Sequence, residues 1–239
     1  MSRNIPDTQH TLSMLSRYLL TIVLILGMPI SAVAALKSGC YFQAITTDSA
    51  IRDSIWFSAN NQRIPLYATK MLRSIEYGYD EGSNITFYGN RISAEGEPIP
   101  EAIAHIPEGA SRLLLIFTRL AKTTEEGLNY RVFTLKDDIT QFAFGSFQFI
   151  NASVKTIAVD LEGNQFILNQ AASKVLEVTP PEQGDLSIRI AAKDENGGWL
   201  PSYTNGWSHS SNIRTLAFIV DAPNGRIKTL RYRQTEPRE

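Results

Sequence analysis

Residues 156–168, TIAVDLEGNQFIL, decide how the rest of the chain is read. A β-branched and apolar run, Thr156 to Leu161, meets the turn residues Glu162-Gly163-Asn164, and a second run follows from Gln165 to Leu168. Glycine reaches positive φ without a Cβ clash, so the chain reverses there and the two runs pair as a hairpin. Working outward, Leu186, Ile188 and Ile190 alternate with Ser187 and Arg189, which gives a strand one buried and one wet face. Short runs rich in β-branched and aromatic residues recur at 54–58, 84–88, 112–119, 130–135, 147–150 and 215–220. Between them stand turn residues: Glu81-Gly82-Ser83, Glu195-Asn196-Gly197-Gly198 and Pro223-Asn224-Gly225. Helical periodicity is absent, and only 66–76, LYATKMLRSIE, has room for a helical turn or two.

Antiparallel strands with one apolar face must cover it, and a second sheet ~10 Å away does so. The chain also repeats itself. Ser54-Ile-Trp-Phe-Ser-Ala-Asn60 resembles Ser146-Phe-Gln-Phe-Ile-Asn151, and the run from Ser111 to Phe117 resembles that from Asn212 to Ile219. Tyr130–Leu135 then matches 227–232 as the closing strand of each copy. The expected fold is all-β, two tandem immunoglobulin-like antiparallel β-sandwich domains after an N-terminal signal helix. The first sandwich covers 36–135 and the second 145–234, with the boundary at Lys136–Phe144, where Lys136-Asp137-Asp138 breaks the strand pattern and Gly145 opens the next.

The N-terminus carries its own pattern. Arg17 precedes LLTIVLILGMPI at 19–30, and Ala32 and Ala34 follow as an A-x-A site, so 1–34 reads as a secretory signal peptide cleaved after Ala34. Two other readings stay open. Tyr18–Leu36 is long enough for an uncleaved anchor, the one route to a membrane in this sequence. Ser38-Gly39-Cys40 looks like the end of a lipoprotein box, although Lys37 stands where an aliphatic residue belongs. The expected location is outside the cytoplasm: periplasm, cell envelope or secreted.

Lys and Arg total 23 against 24 Asp and Glu, a net charge of −1. Nucleic-acid binding rests on clustered cations, so none is expected here. Cys40 is the single cysteine, and the fold stands on packing without an internal disulfide.

Three further groups of residues bear on the family. Tyr130-Arg-Val-Phe-Thr-Leu-Lys-Asp-Asp138, the run from Phe142 through Gly145-Ser-Phe-Gln-Phe-Ile-Asn151, and Gly198-Trp-Leu-Pro-Ser-Tyr203 with Arg214-Thr-Leu-Ala-Phe-Ile219 resemble an uncharacterised family of exported bacterial proteins. The resemblance implies export and tandem β-sandwiches. It brings no activity or site residues.

The best candidate for a ligand site is aromatic. Trp199, Tyr203 and Trp207 are spaced by fours, and in an extended strand even spacings share a face. Displayed together, the three rings would stack on sugar faces. The competing reading buries them in a sandwich core, and a bulge at Gly206 would split the set. Ser208-His209-Ser210-Ser211 sets hydroxyls beside an imidazole, but adjacency supplies neither an orienting carboxylate nor an oxyanion hole. Asp137-Asp138 and Asp194-Glu195-Asn196 are oxygen-rich turns without EF-hand spacing, and no Cys/His cluster exists for zinc. No catalytic residue, metal or cofactor is expected. The expectation is an exported, non-catalytic interaction protein whose partner is an unknown protein, with a carbohydrate-binding module recognising polysaccharide as the alternative.

Overall fold

Period-two patterning resolves into sixteen strands among the described residues, which are 39–236 apart from 53, 71, 180–184 and 223–224 of a computed structural model. The signal segment with its cleavage after Ala34, the anchor reading of 18–36 and the Pro223-Asn224 turn lie outside them.

The first half runs β1 (Cys40–Thr46), β2 (Trp56–Ala59), β3 (Gln62–Pro65), β4 (Tyr77–Tyr79), β5 (Asn84–Ile92), β6 (Pro98–His105), β7 (Arg112–Arg119) and β8 (Tyr130–Lys136). The second runs β9 (Ser146–Asn151), β10 (Ile157–Leu161), β11 (Asn164–Leu168), β12 (Ser173–Glu177), β13 (Leu186–Lys193), β14 (Trp199–Trp207), β15 (Ile213–Asp221) and β16 (Ile227–Thr235). Each half has an inner sheet, β4-β1-β7-β8 or β12-β9-β15-β16, and an outer sheet, β3-β2-β5-β6 or β11-β10-β13-β14. The strand orders are identical, so the protein is all-β and made of two β-sandwiches of one topology. Pairing is antiparallel except where β1 meets β7 and β9 meets β15, which run parallel.

The repeat is closer than the residue matches suggested, and one match was misplaced. Ser146–Asn151 corresponds to β1, not to the β2 segment at 54–60, because β1 and β9 are the strands that pair in parallel with the strand before last. The hairpin at 156–168 has its counterpart in β2–β3. Asn60-Asn61 and Glu162-Gly163 both close two-residue loops at positive φ, between Ala59↔Gln62 and Leu161↔Asn164. That turn matches the right-handed twist of the strands. The 66–76 segment forms no helix among its described residues. Its backbone groups bond instead along β1 and to Ile51: Thr46 N to Thr69 O at 3.1 Å, Ser74 N to Ala44 O at 2.9 Å and Ala68 N to Ile51 O at 3.0 Å.

Ser38–Glu239 forms one compact unit, and the reason is a third core. Leu113, Leu115 and Phe117 of β7 point into the first sandwich, while Leu114 and Ile116 point the other way. In β15, Ala217 and Ile219 fill the second sandwich, while Leu216, Phe218 and Val220 meet Leu114 and Ile116 in the middle. Both inner sheets are thus covered on both faces, giving four layers and three cores. A strand buried on both sides reads as an unbroken apolar run, which explains RLLLIF at 112–117 and LAFIV at 216–220.

An ion pair shared three ways ties the halves together beside this core. The Asp137 carboxylate accepts from both Arg73, on the β3–β4 connection, and Arg214 of β15, the latter at 2.6 Å. Arg73 donates as well to Gln43 (3.1 Å), Tyr232 (3.3 Å) and Gln234 (2.7 Å). Arg214 reaches the Phe142 carbonyl at 3.0 Å and lies over the Phe142 and Phe144 rings. Burial alone would raise the Asp137 pKa, but the hydrogen bonds and charges of Arg73 and Arg214 hold it below the ordinary carboxylate range.

Candidate functional site

The outer sheet of the second half presents a hollow rather than a filled face. Residues paired directly across two strands share a side of the sheet. Leu186, Ile188 and Ile190 of β13 are buried, so their partners Trp207, Asn205 and Tyr203 stand on the core side of β14. Between Ile190 and Ala191 the register slips, and Ser202 is left over as a bulge. Pro201 then pairs with Ala191 and Trp199 with Lys193, on the opposite, outward side. The bulge falls at Ser202 rather than Gly206, and it separates Trp199 from the other two rings.

The three candidate rings are accordingly not one platform. Trp207 is 1% exposed and stacks on Phe149 with the planes 8° apart and the centroids 5.8 Å apart. Tyr203 is half-buried, and its hydroxyl accepts from Trp207 Nε1 at 2.9 Å and from Asn205 Nδ2 at 3.2 Å. Trp199 alone is displayed, 42% exposed.

Around Trp199 lies a groove of about 780 Å³. Its floor is Ala158 of β10 and Ala191 of β13, which pair directly, and its walls are Ile167, Pro201 and Trp199. One ion pair crosses the floor's far end. Arg189 donates to Asp160 Oδ2 at 2.8 Å, and Gln165 Nε2 donates to the same oxygen at 3.1 Å. Asp160 Oδ1 takes the Gly163 N–H at 3.0 Å, so both carboxylate oxygens are engaged within the protein.

The equivalent face of the first half is closed. The pair Trp56↔Tyr88 in β2 and β5 has the register of Ala158↔Ala191, one step beyond Phe57↔Phe87 and Val159↔Ile190. The two rings stack at 4.9 Å with planes 29° apart, Arg63 lies 4.5 Å over the indole, and Trp56 Nε1 donates to Gly89 O at 3.2 Å. The bulge recurs too: Phe87 pairs with Ala102 and Tyr88 with Pro100, leaving Glu101 over, as Ser202 is left over beside Pro201. Sequence reading missed Ala158 and Ala191 because two alanines in a strand carry no signal alone. Placing PIPEA at 98–102 under WLPSY at 199–203, proline on proline, aligns the two bulges but not these alanines, because the connections between the strands differ in length in the two halves.

The remaining candidates are placed as follows. His209 Nε2 lies 3.0 Å from the Gly145 carbonyl oxygen, and the ring packs beside Phe147, while Ser208 is exposed. Asp138 caps its own turn through Thr140, and Asp194 does the same through Asn196 and Gly198. Among the described residues no three of His, Cys, Asp and Glu come together as metal ligands. Cys40 is buried in the first core, and burial pushes its thiol pKa up.

Fold and face together define a paired β-sandwich with one outer sheet closed by its own aromatic residues and the other open. No family model matches the chain, and no curated protein matches its sequence.

Proposed function

We propose that this protein is an exported, non-catalytic interaction protein that engages a partner through the open outer sheet of its second half. The apolar leader and its A-x-A site support export. One observation carries the binding surface: a groove with Trp199 at its rim and an alanine floor, on a sheet whose duplicate is filled by Trp56 and Tyr88. A concave, mainly apolar hollow with few convergent polar groups is the usual form of a recognition site. The carbohydrate-binding alternative through Trp199, Tyr203 and Trp207 has less support, since Trp207 is a core residue.

A photo-crosslinking residue placed at position 199, with a control at Ile103 on the outer face of the first half, tests the surface in living cells. A discrete adduct from 199 and none from Ile103 is expected. Equal adducts, or none from 199, would remove the groove as the recognition surface. Fusing the first forty residues to a reporter active only outside the cytoplasm tests export, and an inactive fusion would refute it.

A further inference from the structure

We infer that the groove receives an aromatic side chain, a tryptophan or tyrosine, presented by a partner polypeptide; this rests on the groove being the recognition surface. The protein contains its own template for the occupant. At matching positions of the duplicated sheet, the surface above the bulge is covered by a stacked indole and phenol in the first half and by two methyl groups in the second. What closes the first face is the right shape for the second, because the backbone beneath them is the same: same strand order, same register, same bulge after a proline.

Charge points the same way. In the first half a guanidinium, that of Arg63, lies over the face of Trp56. The second half keeps a cation at the groove, Arg189, whose side chain is 64% exposed even while it holds Asp160. A guanidinium beside an apolar hollow complements the negative face of an aromatic ring. A sugar is the poorer fit. Polyols are held by acceptors that take their hydroxyl protons, and the carboxylate here already accepts from Arg189, Gln165 and Gly163. Entry is over the face rather than along the edge. On edge strand β14, Pro201 lacks an N–H and Ser202 is bulged, so an incoming strand meets an interrupted ladder.

The test uses the full chain with isotope-labelled alanine and isoleucine methyl groups, titrated with N-acetyl-tryptophanamide, N-acetyl-leucinamide and chitobiose. Saturable shifts of the Ala158, Ala191 and Ile167 methyl signals are expected with the aromatic amide, and weaker ones or none with the other two. Combining Ala158→Trp with Ala191→Tyr installs the first half's own pair and should abolish the shift of the Ile167 methyl signal, a groove residue that this variant keeps, while the other methyl signals keep their positions. Trp199→Ala, which adds no bulk, should weaken the response about tenfold, as expected when one wall of a small site is taken away. Shifts with chitobiose alone would overturn the aromatic assignment and leave the groove standing as a binding surface. No shift with any probe, or a response unchanged by the filled variant, overturns the inference too; the crosslink at position 199 then decides separately whether the surface is used.

Discussion

Trp56 and Ala158 occupy one place in two copies of a sandwich, as do Tyr88 and Ala191, and these two positions separate a finished surface from an unfinished one. The bulge below them differs in the same sense. In the first half its extra residue, Glu101, turns inward, is 7% exposed, and is fixed by Arg91 Nε and Asn129 Nδ2, both at 2.6 Å. In the second half its extra residue, Ser202, is exposed and bonds only its own neighbourhood, at Leu200 O. A duplicated framework with one outer face covered by rings, and the other bare, is the contrast on which the proposed recognition surface rests. The lesson is that a difference between duplicates marks a surface that neither copy marks alone.

The strongest way to break this comparison is at Trp207. If the second half's aromatic residues served a ligand as a set, Trp207→Ala would leave the fold intact. With the indole buried and stacked on both Phe147 and Phe149, the loss should instead be about 3–5 kcal/mol of unfolding free energy, read from urea denaturation. A loss below ~1 kcal/mol would show that the ring is not a core element.

Next in size is the tie between the halves. Asp137→Asn leaves Arg73 and Arg214 buried without a counter-charge and should cost about 3 kcal/mol at pH 7. The pH dependence follows from the depressed carboxylate. Its stabilising contribution is fully present above the unfolded value of ~3.9 and is lost as pH falls through the lower folded value. Wild type should therefore lose stability below about pH 4 more steeply than Asp137→Asn, and the gap between them should narrow. A gap constant from pH 7 to pH 3 would exclude Asp137 as the titrating group.

Much of this architecture was legible in the residues, and what escaped has a physical explanation. The hairpin at 156–168 announced itself, since a positive-φ turn between two apolar runs has few other solutions. Leu186, Ile188 and Ile190 alternate as a half-wet strand does, and they line the second core. The middle core was written in RLLLIF and LAFIV, whose lack of alternation is the mark of burial on both faces. The aromatic spacing misled because counting by fours assumes an unbroken pleat, and the bulge at Ser202 reverses the facing midway. The floor was invisible because a hollow is defined by side chains that are missing.

A smaller effect tests the two bulges against each other. A Cβ built on Gly89 would lie 2.7 Å from Glu101 Oε1, an oxygen held in place by Arg91, whereas the matching position in the second half already carries Ala192. Gly89→Ala should cost about 1–3 kcal/mol, and Glu101→Ser in the same chain should relieve most of the overpacking. If Gly89→Ala is neutral, the inward turn of Glu101 is not what distinguishes the first bulge. Removing the rings above it, Trp56→Ala with Tyr88→Ala, should cost about 1–2 kcal/mol, since both are only half-buried. That variant should also gain methyl shifts with the aromatic amide at the new alanines.

The smallest expected effect carries the most meaning. Trp199→Ala should change unfolding free energy by no more than ~0.5 kcal/mol, because the ring is 42% exposed and lies on the solvent side of the edge strand. Its counterpart, counted back from Pro100 and Pro201, is Pro98, so the framework does not require a ring there. A large indole held half in water without stabilising the fold is what the proposed recognition surface calls for, and the groove lies beside it. A stability loss of ~2 kcal/mol or more would mean that Trp199 covers the sheet as Trp56 does. The two outer faces would then be closed by different means, and the contrast between them would lose its functional content.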